Sequence, residues 1–278
     1  MCLAREQTDF LLTRAFNAAV SAGAKIYEIY TSYDDFGVSL KADSTPITIA
    51  DRQAHSIIAK RLAQTRIPIL SEEGRDILYE ERQNWDLFWL VDPLDGTRQF
   101  IERTGEFTIN IALIADNKPL LGVIYHPCSD TVYLSDPDRG AFSKVGVRVS
   151  QTTEYTVNEI FRDARKLPLH NEQGGRSARL LLSRVRESNV AHDFIENVRT
   201  DHPDLQVLEY GSSLKLCLLA EGSADYYIRT TQTMEWDTAA GEAIMRGAGV
   251  RICDLHGNDL QYNKEKLENP PFLCKCSR

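Results

Sequence analysis

The sequence predicts two halves of different texture: an α+β half with a largely antiparallel sheet over residues 1–150, then an α/β half over residues 151–278. Three observations carry this. A long amphipathic helix opens the chain, short apolar runs split by tight turns fill residues 85–135, and strand and helix patterns alternate from residue 180 onward. With 42% hydrophobic residues in 278, the chain can bury a full core as one large or two small domains.

Taken in order, Leu12, Ala15, Ala19, Ala22, Ile26 and Ile29 recur at steps of three and four and predict a helix over residues 8–30. A second helix should start near Thr48 and turn Ala54, Ile57, Ile58 and Leu62 inward, with Pro68 closing the connection before a short strand, Ile69-Leu70. Strands are expected over residues 88–91, 107–115, 120–125 and 131–134, separated by Gly, Asn-Lys-Pro and Pro-Cys-Ser-Asp turns. A polar stretch over residues 151–177 then marks a subdomain boundary or an insertion. Beyond it come strands over 180–183, 207–209, 224–228 and 250–253, alternating with helices over 190–199, 212–221 and 237–247.

Composition excludes several function classes. The formal net charge of −8 argues against gripping nucleic acid over a wide surface, while a small anionic substrate stays allowed because bound cations invert the charge locally. No apolar run reaches membrane-spanning length and residues 1–6 lack the apolar core of a signal peptide, so a location in the cytoplasm is expected, free or peripheral at the inner face of the cell membrane. The oligomeric state stays open between monomer and homodimer. The six cysteines show no zinc-site spacing and read as reduced thiols, with Cys274 and Cys276 as an incidental surface feature.

Residues 89–97, Trp-Leu-Val-Asp-Pro-Leu-Asp-Gly-Thr, are the most informative stretch. An apolar strand runs into Asp92 and Asp95, Pro93 fixes the backbone between them, and Gly96-Thr97 opens the next element as the N-terminus of a helix, where N–H groups can receive phosphate oxygens. Two carboxylates at the mouth of one strand can share hard cations, and Mg²⁺ demands about six oxygen ligands, so further carboxylates must arrive from other elements. Glu72 and Glu73 after the short strand, Asp51, and Asp237 at a helix start can supply them. Each has a plainer reading: a solvated turn for Glu72-Glu73, a Thr48-x-x-Asp51 capping box, an N-cap for Asp237 and a strand-ending turn for Asp92-Pro-Leu-Asp95.

Four segments, Leu-Ser-Glu-Glu (70–73), residues 89–97, Gly-Glu-Phe-Thr-Ile-Asn-Ile-Ala (105–112) and Trp-Asp-Thr-Ala-Ala-Gly (236–241), resemble the motifs of the inositol monophosphatase superfamily. Residues 40–51, Gly-Ser-Ser-Leu-Lys (211–215) and Leu-Ala-Glu-Gly (219–222) are most similar to its bacterial 3'(2'),5'-bisphosphate nucleotidase branch. The resemblance implies a layered αβαβα sandwich. It also implies that Glu72, Asp92, the Leu94 carbonyl, Asp95 and Asp237 hold two or three Mg²⁺ ions, with Asp92 bridging a pair. Asp51 and Glu73 would bind a further ion or orient the attacking water, with the Thr97 hydroxyl as proton-relay partner. Leu94, Asp95, Gly96, Thr97 and Asp237 would also face the phosphoryl group. Enzymes accelerate phosphate monoester hydrolysis by up to about 10²¹-fold, so charge neutralisation and water activation must both be large.

Specificity is expected from the C-terminal half. Ser212 and Lys215, three apart on one helical face, and Arg229 after its strand can converge on a second anionic group, as the matching nucleotidase positions imply; otherwise Lys215 and Arg229 are ordinary surface cations. One departure stands out: where the relatives often show Ser-Arg-Ser-His, this chain has Ser183-Arg184-Val185-Arg186, exchanging a titratable group for a permanent charge. The expected reaction is Mg²⁺-dependent hydrolysis of adenosine 3',5'-bisphosphate to AMP, with lithium sensitivity and a place in sulfur metabolism implied by the same resemblance. An inositol monophosphatase or sugar phosphatase is the runner-up, and a catalytically silent metal-and-phosphate binding protein is the third reading.

Overall fold

Helix α1 (Arg5–Ser32) and helix α2 (Ile49–Leu62) lie together on one face of a seven-stranded sheet. Small residues make this close packing possible: Ala15, Ala18, Ala19 and Ala22 are all fully buried along α1. Between the two helices sits a hairpin of β1 (Ser39–Leu40) and β2 (Pro46–Ile47). The computed structural model describes residues 3–41, 45–148, 154–169, 177–185 and 188–276.

The large sheet is built from β3 (Ile69–Ser71), β4 (Leu87–Asp95), β5 (Thr108–Ala115), β6 (Lys118–His126), β7 (Thr131–Asp136), β8 (Gly140–Val145) and β9 (Arg165–Lys166), in that order. Only the β3–β4 pair is parallel; the remaining pairs are antiparallel, as the turn signals require. Short helices α3 (Tyr79–Arg82), α4 (Thr97–Ile101) and α5 (Val157–Phe161) punctuate this half. Strand β8 was not foreseen. Its alternation is plain, Ala141 and Ser143 turned inward, but its polar residues mask it in the sequence. Of the polar stretch, α5 packs against α1 and β9 extends the sheet edge, while residues 151–153 and 170–176 lie outside the described residues.

The second sheet runs β11 (Gln206–Tyr210), β10 (Arg179–Ser183), β12 (Tyr226–Arg229), β14 (Phe272–Cys276), β13 (Val250–Asp254). Strands β10, β11 and β12 are parallel, as strand and helix alternation demands, but β14 enters antiparallel between β12 and β13. This strand corrects the reading of Cys274 and Cys276 as surface thiols: both alternate inward and are buried. The pattern had ended at Cys253 because Pro270-Pro271 hides the short strand behind it. The five described cysteines are free thiols.

Helices α7 (Leu214–Glu221) and α8 (Glu235–Gly247) fill the space between the sheets, α8 lying across strands β4 to β8. Helix α6 (Asn189–Asp201) covers the outer face of the small sheet through Ala191 and Ile195 against Leu180, Leu182 and Ile228. The layer order is therefore αβαβα. One apolar cluster spans the middle layer, joining Leu90 and Ile114 of the large sheet to Leu216, Ile244 and Phe272 of the C-terminal half. No helix among the described residues is long and apolar enough to cross a membrane.

Candidate active site

Strand β4 carries the first two carboxylates. In a regular strand, residues three apart point to opposite faces, so Asp92 and Asp95 should diverge. They do not, because Pro93 cannot donate to the ladder. Pairing with β5 is regular up to Asp92 opposite Asn110 and then shifts, placing Asp95 opposite Thr108. The Leu94 N–H donates to Asp92 Oδ1 at 3.0 Å, closing the bulge. As a result Asp92, Asp95 and, from the start of α8, Asp237 each offer an oxygen within 4.8 Å of the others.

Asp237 is the third residue of α8 rather than its N-cap; it accepts a hydrogen bond from the Met234 N–H at 2.8 Å, which fixes its approach. Burial pushes the Asp92 carboxyl well above its ordinary range, and the charges of Glu72, Asp95 and Asp237 push it further. Asp237 is raised well above its range by burial and then by Asp95. Asp95 is raised by burial too, although Lys215 and the Ser213 N–H pull it back. Three hard oxygen donors of one charge sign, Asp92 buried and Asp95 and Asp237 half-buried, suit a divalent cation, which would relieve their repulsion.

Glu72 lies beside Asp92 but outside the three-oxygen cluster, because its Oε1 accepts from Lys41 Nζ at 2.7 Å. The same ammonium reaches Glu73 Oε1 at 2.5 Å. Burial lowers the Lys41 pKa, yet the two glutamates together hold it above its ordinary value. Glu72-Glu73 is thus no solvated turn.

Asp51 fulfils two readings at once. Its Oδ2 accepts the Thr48 N–H at 2.7 Å in a complete capping box, while its Oδ1 lies 3.0 Å from the Thr97 hydroxyl. That hydroxyl is also 3.2 Å from the Leu94 carbonyl, so its single proton links the helix cap to the β4 bulge. Burial raises the Asp51 pKa, offset by the Thr48 hydrogen bonds. Gly96 has φ of 91°, a left-handed turn that suits glycine, and it starts α4 so that Thr97 follows directly.

Beside the carboxylates opens a cavity of about 350 Å³ whose lining includes Asp95, Arg184, Ser212, Lys215, Arg229 and Asp237. The structure corrects the helical-face reading of Ser212 and Lys215. Helix α7 begins at Leu214, and Ser212 stands before it in a left-handed turn with φ of 49°. The physical reason is Ser213, whose N–H must reach Asp95 Oδ2 at 2.6 Å and whose hydroxyl must reach Asn110 Oδ1 at 2.7 Å. Lys215 is not a surface cation: it is 4% exposed and donates to the carbonyls of Tyr210 and Ser212. Arg229 ends β12 and donates to the carbonyls of Thr231 and Gln232. Arg186 lies outside the described residues. Sequence reasoning assigned no role to Lys41, Glu106, Asn110 or Ser213, although each falls inside a quoted motif; the motif matches were the available signal.

A sequence model of the inositol monophosphatase family matches residues 7–273. The chain is 38% identical over 265 residues, 94% of its length and 98% of the relative's, to the 3'(2'),5'-bisphosphate nucleotidase CysQ of Escherichia coli K12. Its fold superposes on the crystal structure of CysQ from Bacteroides thetaiotaomicron, a bacterial member of the inositol monophosphatase family, with TM-score 0.88 and 39% identity, covering 97% of this chain and 98% of that one. An inositol monophosphatase from Anabaena (Nostoc) sp. PCC 7120 shares the fold at TM-score 0.69 and 21% identity, covering 96% and 90%. With the matched motifs converging on one carboxylate cluster, the chain belongs to the inositol monophosphatase family.

Proposed function

We propose that this protein is a Mg²⁺-dependent 3'(2'),5'-bisphosphate nucleotidase that hydrolyses adenosine 3',5'-bisphosphate to AMP and phosphate. One observation carries the reading: the carboxylate cluster shares a cavity with Arg184, Lys215 and Arg229, cations that can hold a second phosphate beside the one at the carboxylates. The identity to named nucleotidases supports it.

Glu72, Asp92, the Leu94 carbonyl, Asp95 and Asp237 would hold two or three Mg²⁺ ions. Bound there, the ions supply charge neutralisation at the phosphoryl oxygens and a lowered pKa for an attacking water. The chain's own residues handle positioning and protons. The Thr97 hydroxyl, 3.0 Å from Asp51 Oδ1, is placed to pass the attacking water's proton to that carboxylate, with Glu73 beside it. Backbone N–H groups of Gly96 and Thr97 orient the phosphoryl group. Water oxygen bonds to phosphorus, the P–O3' bond breaks, and the departing 3'-oxygen takes a proton from solvent, to which Asp51 returns the one it received. Lys215, Ser212 and Arg229 hold the remaining phosphate, and clearing such a nucleotide by-product suits sulfur metabolism. Lithium inhibition is expected on this reading.

The alternative on the same scaffold is an inositol monophosphatase or sugar phosphatase. A panel of adenosine 3',5'-bisphosphate, its 2',5' isomer, inositol monophosphate and fructose 1,6-bisphosphate, each with Mg²⁺, decides between them. A kcat/KM for an adenosine bisphosphate at least about 10²-fold above that for inositol monophosphate is expected. Comparable values overturn the reading, and no turnover on any of them leaves a binding protein.

A further inference from the structure

Glu106 stands outside the catalytic machinery described so far, yet it joins three parts of the cavity wall. It is the residue just before fully buried Phe107, at the entry to β5. Its carboxylate accepts Arg184 Nη2 at 2.6 Å and Arg184 Nε at 2.8 Å, a bidentate fork, and also the Gly211 N–H at 2.7 Å. The side chain is only 16% exposed, whereas that of Arg184 is 41% exposed.

The backbone around Glu106 is wedged equally tightly. A Cβ at Gly96 would lie 2.9 Å from the Glu106 carbonyl oxygen, and one at Gly211 would lie 3.0 Å from the same atom and 2.7 Å from Gln99. Residue 106 therefore sits between the loop that starts α4 and the loop that precedes α7, the two segments expected to face the phosphates. Arg184 hangs from this wedge over the cavity. The fork to Glu106 uses two of the guanidinium's five N–H donors, and the remainder can meet an anion. A permanently charged planar group suits a phosphate bidentately.

We propose that Arg184 is a specificity-determining residue that binds the phosphate which is not cleaved, and that Glu106 is the positioning residue that aims it. This rests on the reading of the site as one for a doubly phosphorylated substrate. An uncompensated arginine would swing into solvent with its rotamer freedom intact; tied to a carboxylate that also holds Gly211, it is pre-organised relative to the loop carrying Ser212 and Lys215. Glu106 keeps its negative charge through the Arg184 hydrogen bonds above all, so the clamp persists well below neutral pH.

The test is steady-state kinetics with Mg²⁺ on the full chain, comparing wild type, Arg184→Met, Glu106→Gln and the double variant. The substrates are adenosine 3',5'-bisphosphate, fructose 1,6-bisphosphate and adenosine 3'-monophosphate. Arg184→Met should raise KM for the preferred bisphosphate about tenfold, about 1.4 kcal/mol, with kcat within about twofold and the monophosphate KM unchanged. Glu106→Gln keeps an acceptor for Gly211 but loses the ion pair; it should raise the same KM about threefold, and add nothing when Arg184 is already Met. Arg184→Lys, which retains the charge and the fold, should recover part of the loss. An unchanged bisphosphate KM in Arg184→Met, or equal losses on bisphosphate and monophosphate, overturns the proposal. If the wild type prefers fructose 1,6-bisphosphate, the nucleotidase reading falls while a selective KM rise on that sugar still upholds Arg184.

Discussion

Asp136 and Asp92 are both strand-borne carboxylates with almost no exposure, 2% and 1%, and they are treated in opposite ways. Asp136 Oδ1 accepts the backbone N–H groups of Asp138 and Arg139 at 2.9 Å each, and its Oδ2 accepts Arg5 and Arg139 at 2.9 Å. Asp92 accepts the Leu94 N–H at 3.0 Å and is otherwise surrounded by Glu72, Asp95 and Asp237. A buried charge supplied with partners is a structural joint, here tying α1 to the β7–β8 turn. A buried carboxyl set among others of its own sign is an arrangement suited to an external cation, and without one its burial costs stability.

The largest effect that probes this contrast is Asp92→Asn. It should lower kcat by at least about 10³-fold while leaving the melting temperature of the metal-free protein unchanged or raised, because it removes charge repulsion. Retained activity, or marked destabilisation, would erase the distinction between the two aspartates. Next comes the cation itself. Mg²⁺ at about 100 times its Kd should stabilise the wild type by about 2.7 kcal/mol in thermal denaturation, and the shift should vanish in Asp92→Asn. The sign with pH follows from the raised carboxyls: without cation the folded state holds protons that the unfolded state has released, so stability falls as pH rises out of the ordinary carboxylate range. The Mg²⁺ stabilisation should therefore grow with pH.

Asp136→Asn should do the reverse of Asp92→Asn, costing about 1–3 kcal/mol in chemical denaturation with kcat/KM unchanged. The last effect concerns an intermediate case. Glu242 Oε2 accepts a hydrogen bond from the Tyr262 hydroxyl at 2.6 Å, and burial lifts its carboxyl to about 7. The folded state retains this proton between pH 4.5 and about 7, so Glu242 weakens the protein as pH rises through that window. Glu242→Gln should match wild type in melting temperature near pH 4.5 and exceed it progressively up to pH 7; parallel curves would show that Glu242 titrates normally.

Much of this was legible in the residue order. The helix periodicity of α1, the strand and turn alternation of β4 to β7, and the βα alternation from β10 to α8 follow from local pattern, and the structure moves the ends of those elements by a few residues. Strand β14 was not legible, since five residues after Pro270-Pro271 lack the length to announce a strand. Ser212 was misplaced onto a helix for a related reason: the helical pattern from Leu214 gives no warning that Ser213 must turn first to reach Asp95.

The sequence by itself determined the family, the layer composition and the acidic residues available, because motifs and periodicity are properties of neighbours along the chain. Only the tertiary structure decided which acids meet. Asp92 and Asp95 share a face through a register shift against β5, and Asp237 joins them by helix packing across the middle layer, with about 140 residues between them in sequence. It alone paired Lys41 with Glu72 and Glu73, and Glu106 with Arg184, because the desolvation and geometry that set such pairings exist only once both sheets have closed on α7 and α8.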